Sequence, residues 1–97
     1  MDDKVYYFHY RFYTTGWRAF TFAIRKNANS HIEIGTAMCS PKDQFCRKIG
    51  REIALGRLNN LPPAVADVKA LREHIKNMTN DYAIADHIGY VCRKLDN

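Results

Sequence analysis

No run of apolar residues in this 97-residue chain approaches the roughly 20 needed for a membrane-spanning helix. The N-terminus, Met1-Asp2-Asp3-Lys4, is acidic, and His9 and Arg11 break the apolar run behind it, so the layout of a secretory signal is missing. Cysteine is sparse and odd in number, Cys39, Cys46 and Cys92, with no Cys-x-x-Cys pair. That excludes a complete disulfide framework and a zinc site of paired cysteines, and predicts reduced thiols. Three prolines and five glycines leave no room for a collagen-like or low-complexity segment, and no glycine-rich phosphate loop is present. His9, His31, His74 and His87 include no pair three to five residues apart, so no metal site and no metal cofactor is expected. Acidic residues are the minority charge, 10 Asp and Glu against 15 Lys and Arg, for a net charge of +5. They show no distinctive pairing, and no cysteine or serine stands in a nucleophile–base pattern, so the expectation is a protein without catalytic residues.

What is present is globular composition, 46% hydrophobic and 26% charged, in a length that suits one domain. Lys4 to Tyr13 alternates as a strand, with Tyr6, Phe8, Tyr10 and Phe12 on the face expected to meet a core and Val5, Tyr7, His9, Arg11 and Tyr13 on the other. Thr14-Thr15-Gly16 supplies a turn. Trp17 to Lys26 forms a second strand, with Phe20, Phe22 and Ile24 opposite Ala19, Thr21, Ala23 and Arg25. After a turn at Asn27-Ala28-Asn29-Ser30, His31 to Met38 alternates again, with Ile32, Ile34 and Met38 opposite Glu33, Gly35 and Ala37. Short loops between three such strands predict an antiparallel meander over residues 1–39.

Ser40-Pro41-Lys42-Asp43 reads as a helix start: a capping serine, proline at the first helical position and an acidic side chain three residues after the cap. Over 40–58, Phe45, Cys46, Ile49 and Ile53 share one helical face, expected to be buried, with Gln44, Arg47, Lys48 and Arg51 opposite. Gly50 and Gly56 each cost about 1 kcal/mol of helix propensity, which points to close approach of the helix to the sheet. Asn59-Asn60-Leu61-Pro62-Pro63 turns the chain. Apolar spacing then runs through Val65, Val68, Leu71, Ile75 and Met78, and after a stop and fresh cap at Thr79-Asn80-Asp81 through Ile84, Ile88, Cys92 and Leu95. Whether 64–95 is two helices or one bent helix stays open. The expected architecture is therefore a single α+β domain over 1–97, a three-stranded antiparallel sheet followed by two or three helices packed on one face. Its core is expected to contain Phe8, Phe12, Phe20, Phe22, Ile34, Phe45, Ile49, Ile53, Leu71, Ile75 and Ile88.

Positive charge concentrates in residues 42–58, where Lys42, Arg47, Lys48, Arg51 and Arg57 face only Asp43 and Glu52. Arg47, Lys48 and Arg51 are helix neighbours and form a ridge able to meet phosphates or an acidic protein surface. Arg11, Tyr7, Tyr13 and Trp17 are the other candidate contact residues. Aromatics beside arginine suit either base stacking or a protein interface, although the Lys/Arg-Gly-aromatic pattern of RNA-binding sheets is missing.

The stretch from Cys39 to Leu58, CSPKDQFCRKIGREIALGRL, resembles the signature helix of small phage and prophage proteins. A strand-rich N-terminal part followed by helices is similar to phage-encoded anti-defence proteins of the anti-CRISPR kind. That resemblance implies inhibition by binding and steric blockade of a host protein or ribonucleoprotein complex in the host cell cytoplasm. Some such inhibitors are acidic DNA mimics, a pattern from which this basic chain departs. The order strand-strand-strand-helix also looks like double-stranded-RNA-binding and integrase arm-binding domains, in topology only. The alternative is a small basic DNA- or RNA-binding regulatory module. No membrane partner is expected, and pairing of two copies through the aromatic edge strand stays open, with Lys4 and Arg11 opposing it.

Overall fold

Two chemically different faces are built into the same strands, and the helices divide between them. The computed structural model describes residues 4–12, 18–39 and 46–96. Strands β1 (Tyr6–Phe12), β2 (Arg18–Lys26) and β3 (Ile32–Cys39) pair antiparallel in that order. The register sets Phe8 beside Phe22, Tyr10 beside Phe20, and Tyr6 beside Ile24, which continues to Ile34. On the reverse face the rows are Tyr7–Ala23–Gly35, His9–Thr21–Ala37 and Arg11–Ala19–Cys39. One face is large and apolar, and on the other β2 and β3 present small side chains while β1 presents Tyr7, His9 and Arg11.

The sheet has four strands, not three. β4 (Ala64–Val65) pairs antiparallel with Ile32 and Glu33, and the Pro63 carbonyl accepts from the Ile34 amide at 3.0 Å. Two residues behind a Pro-Pro pair carry no alternation to read.

The helices do not share one face, which corrects the expectation from sequence. Helices α2 (Val68–Thr79) and α3 (Tyr82–Val91) cover the large apolar face. There Leu71, Ile75, Ala85 and Ile88 join Phe8, Phe20, Phe22, Ile24, Ile32 and Ile34 in one buried cluster. Helix α1 (Arg47–Leu58) lies on the reverse face, where Ala54 and Leu58 pack against Ala23 and Ala37. The small-residue rows decide this. A Cβ on Gly35 would stand 2.1 Å from the Ala54 carbonyl oxygen and 2.7 Å from the Leu58 nitrogen, so the helix backbone rests directly on that glycine. A Cβ on Gly50 would reach 2.5 Å from Thr21 Oγ1, whereas one on Gly56 would meet nothing within 4 Å. Close approach therefore explains Gly50 and not Gly56.

The face of α1 that meets the sheet is Gly50, Ala54 and Leu58, spaced four apart. Ile49 and Ile53, expected in the core, are 55% and 43% exposed, because a sheet floor of alanine and glycine accepts small residues and has no socket for branched ones. Of the other expected core residues, Phe8, Phe20, Phe22, Ile34, Leu71, Ile75 and Ile88 are buried, while the side chains of Phe12 and Phe45 lie outside the described residues.

Arg25 fastens the far end of α1. Its guanidinium donates to Glu33 Oε1 at 2.9 Å, Asn59 Oδ1 at 2.7 Å and the Leu58 carbonyl at 3.2 Å, while Asn27 donates to the other Glu33 oxygen at 3.1 Å. An otherwise orphaned helix-end carbonyl is thereby satisfied. Burial pushes the Glu33 carboxyl up, but the Asn27 and Arg25 hydrogen bonds and the Arg25 charge outweigh it and hold the group below its ordinary range.

Beyond residue 63 the chain forms two helices. Asp67 caps α2 by accepting from the Ala70 amide at 2.8 Å. Asn80 closes α2 in the left-handed region at φ 54°, and Asp81 caps α3 by accepting from Ala83 and Ile84. A 3₁₀ turn, Cys92–Asp96, brings Asp96 Oδ1 back to accept from the Val68 amide at 2.9 Å. Among the described residues no helix is long and apolar enough to cross a membrane.

Candidate docking surface on the first helix

Helix α1 runs antiparallel to β3: Gly50 sits over Thr21, in the row of Ala37, while Ala54 and Leu58 sit over Gly35. It lies across β2 and β3, so the outward row of β1 forms a shelf at its flank. Residues four apart on a helix stack on one side, so Arg47, Arg51 and Leu55 form the flank above that shelf. Leu55 packs with Val5 and Tyr7 against the buried alanines, and the Arg51 guanidinium lies 5.9 Å from the centre of the Tyr7 ring, within cation–π range.

His9 lies next to Tyr7 along the shelf. Its Nδ1 is hydrogen-bonded to the buried Thr21 hydroxyl at 2.9 Å, and this is the hydroxyl beneath Gly50. Burial, and after it the charges of Arg47 and Arg51, lower the His9 pKa. Arg11 occupies the next outward position on β1 and is exposed. Among the described residues, neither Arg47 nor Arg51 takes part in an ion pair. The shelf thus combines two guanidinium groups, an imidazole and a phenol.

The outer side of α1 is different. Lys48 and Glu52 point outward, and beside them Ile49 and Ile53 form an exposed apolar lane toward the β3 edge. Arg57, on that same side, donates to the Thr36 carbonyl at 2.6 Å and covers an outward-facing acceptor of β3.

Of the residues singled out from sequence, the fold brings Tyr7, Arg47 and Arg51 together, with Arg11 further along the same row and Lys48 on the adjoining outward side. Arg57 is separated from them by the width of the helix. Lys42, Tyr13 and Trp17 lie outside the described residues. Sequence reasoning assigned no role to His9 and placed Ile49 and Ile53 in the core. The signal for the latter was available in the small residues at 19, 23, 35 and 37, which demand a glycine- and alanine-faced helix.

Among the described residues no group of three or more His, Cys, Asp or Glu side chains could hold a metal ion. Cys46 is exposed and Cys39 half-buried, while Cys92 is buried, with burial pushing its thiol up to about 12. No family model matches the chain, and neither a curated protein nor a solved structure matches it.

Proposed function

We propose that this is a non-enzymatic docking protein that seats helix α1 on an acidic face of a host nucleic-acid-processing or defence complex and blocks that face sterically. The observation that carries the reading is the rotation of α1. By seating Gly50, Ala54 and Leu58 on the sheet it turns Ile49 and Ile53 outward, across the Lys48–Glu52 crest from the basic flank of Arg47 and Arg51. Protein interfaces combine this way, with an apolar centre that excludes water and arginine or aromatic anchors around it. Surface positive charge speeds encounter with an acidic partner and fixes its orientation. The resemblance of residues 39–58 to phage and prophage helices makes a bacterial host complex the partner to test.

The alternative, a basic module that binds DNA or RNA on its own, is favoured by one observation, the Arg51–Tyr7 pair on the shelf. The two separate in a capture experiment from bacterial lysate with and without nuclease. For the docking reading, a defined protein complex persists after nuclease treatment. It is lost with Ile49→Ser/Ile53→Ser and with Arg47→Glu/Lys48→Glu/Arg51→Glu, each weakening binding by about tenfold or more. Captured material that disappears with nuclease refutes docking and leaves the nucleic-acid module.

A further inference from the structure

We infer that the shelf between β1 and α1 is a phosphodiester-binding site for a single nucleic-acid strand, with Arg47 and Arg51 as phosphate ligands and Tyr7 and His9 as its floor. The inference rests on the docking reading in one respect. It makes the partner a nucleoprotein, whose protein part meets Lys48, Ile49 and Ile53 and shields from nuclease the strand that lies on the shelf, so the nuclease-treated capture keeps its dependence on the basic residues.

Four observations converge. Arg47 and Arg51 are one turn apart, about 6 Å along the helix axis, which lets two guanidinium forks engage neighbouring phosphates of one strand. Neither has a carboxylate partner among the described residues, so binding an anion breaks no existing ion pair. Beneath them lie the half-buried Tyr7 ring, 5.9 Å from the Arg51 guanidinium, and the His9 ring, held by Thr21 at 2.9 Å. Burial first, and then the Arg47 and Arg51 charges, lower the His9 pKa, which places both guanidinium groups within electrostatic reach of the imidazole. The charged and titratable groups around it are Arg47 and Arg51 from α1 and Tyr7 and Arg11 from β1, with the neutral Thr21 from β2. Guanidinium geometry matches phosphate, and an elongated row parallel to a helix follows a strand better than a globular acidic surface.

The test measures binding of a fluorescent oligothymidylate to the full-length protein as a function of salt, with poly-glutamate as the competing acidic polypeptide. Wild type is expected to bind the oligonucleotide with log affinity falling linearly in log salt. Arg47→Gln/Arg51→Gln should lose about tenfold or more in affinity and flatten the slope by roughly 0.7 for each phosphate contact removed. Lys69→Gln/Lys94→Gln removes the same charge from the far side of the sheet and should leave binding within about twofold, the change expected from net charge alone. In the wild type, the His9 NMR titration midpoint should move upward when oligothymidylate is added, because a phosphate offsets the two arginines. Equal losses in both double variants, an unmoved His9 midpoint, or displacement of the oligonucleotide by poly-glutamate at equal charge each overturn the inference. Ile49→Ser/Ile53→Ser separates the two readings. If it keeps oligonucleotide binding and loses the captured complex, both stand. If no complex is captured by any version while the arginine dependence holds, docking fails and the strand site remains.

Discussion

Replacing Gly35 with alanine should detach α1 from the sheet. The new Cβ would lie 2.1 Å from the Ala54 carbonyl oxygen, 2.7 Å from the Leu58 nitrogen and 2.9 Å from the Leu58 Cβ. Ordinary non-bonded contact is about 3.5 Å or more, so the helix must retreat by over about 1 Å. Two of the three obstructing atoms are backbone, and no rotamer change relieves them. Overpacking costs about 1–3 kcal/mol where side chains can adjust, and this site belongs at the upper end, about 3 kcal/mol. The retreat also loosens Ala54 and Leu58, both fully buried. For a domain of this size each kcal/mol moves Tm by about 4–8 °C, so Gly35→Ala should melt about 12–24 °C below wild type. Gly56→Ala is the matched control: its Cβ meets nothing within 4 Å, and it should gain about 0.4–1 kcal/mol from helix propensity and a less flexible unfolded chain. Thermal and urea melts followed by circular dichroism measure both. A Gly35→Ala protein within about 0.5 kcal/mol of wild type would refute the seating of α1 on β3 and, with it, the outward rotation of Ile49 and Ile53.

Arg25→Met removes the link between Glu33, Asn59 and the Leu58 carbonyl, and should cost about 1–2 kcal/mol. Hydrogen exchange at the Asn59 and Asn60 amides, which close the end of α1, should accelerate before the rest of the helix, and unchanged exchange there contradicts the latch. Stability should fall as pH drops below 6.5, because burial lowers the folded pKa of His74, and burial with Arg47 and Arg51 that of His9, so the unfolded chain binds protons the folded one does not. A second loss should begin below about 4.5 as the depressed Glu33 carboxyl takes up its proton. A flat stability profile between pH 7 and 4 in urea titrations is the opposing result. In a pulse of iodoacetamide on the native protein, exposed Cys46 should be alkylated and buried Cys92 spared until unfolding; equal labelling by mass spectrometry contradicts the packing of the C-terminal turn.

The first three strands and their antiparallel order were legible because aromatic and β-branched residues alternate without interruption from Tyr6 to Phe12, Phe20 to Ile24 and Ile32 to Ile34. The caps at Asn80 and Asp81 were legible for a local reason too, since left-handed backbone and side-chain capping are properties of a few adjacent residues. What the sequence hid was non-local. On α1, two apolar sets compete at helical spacing, Ile49 and Ile53 against Gly50, Ala54 and Leu58, and hydrophobicity alone favours the first. The choice is made by Ala23, Gly35 and Ala37, more than ten residues away in sequence and on two other strands. The same displacement affected the contact residues. The arginine ridge was visible as charge, but its meeting with Tyr7 and His9 depends on which way the helix turns. β4 was hidden because a two-residue strand is defined only by its partner.

A photo-crosslinking amino acid placed in turn at Ile53 and at Tyr90 tests the docking role of α1 most directly. Both positions are exposed, but they lie on opposite sides of the sheet. Irradiated with nuclease-treated bacterial lysate, the Ile53 position should give one defined protein adduct that disappears in the Arg47→Glu/Lys48→Glu/Arg51→Glu background, and the Tyr90 position should give none. The same adduct from both positions, or an adduct at Ile53 indifferent to the three basic residues, would contradict docking through this helix.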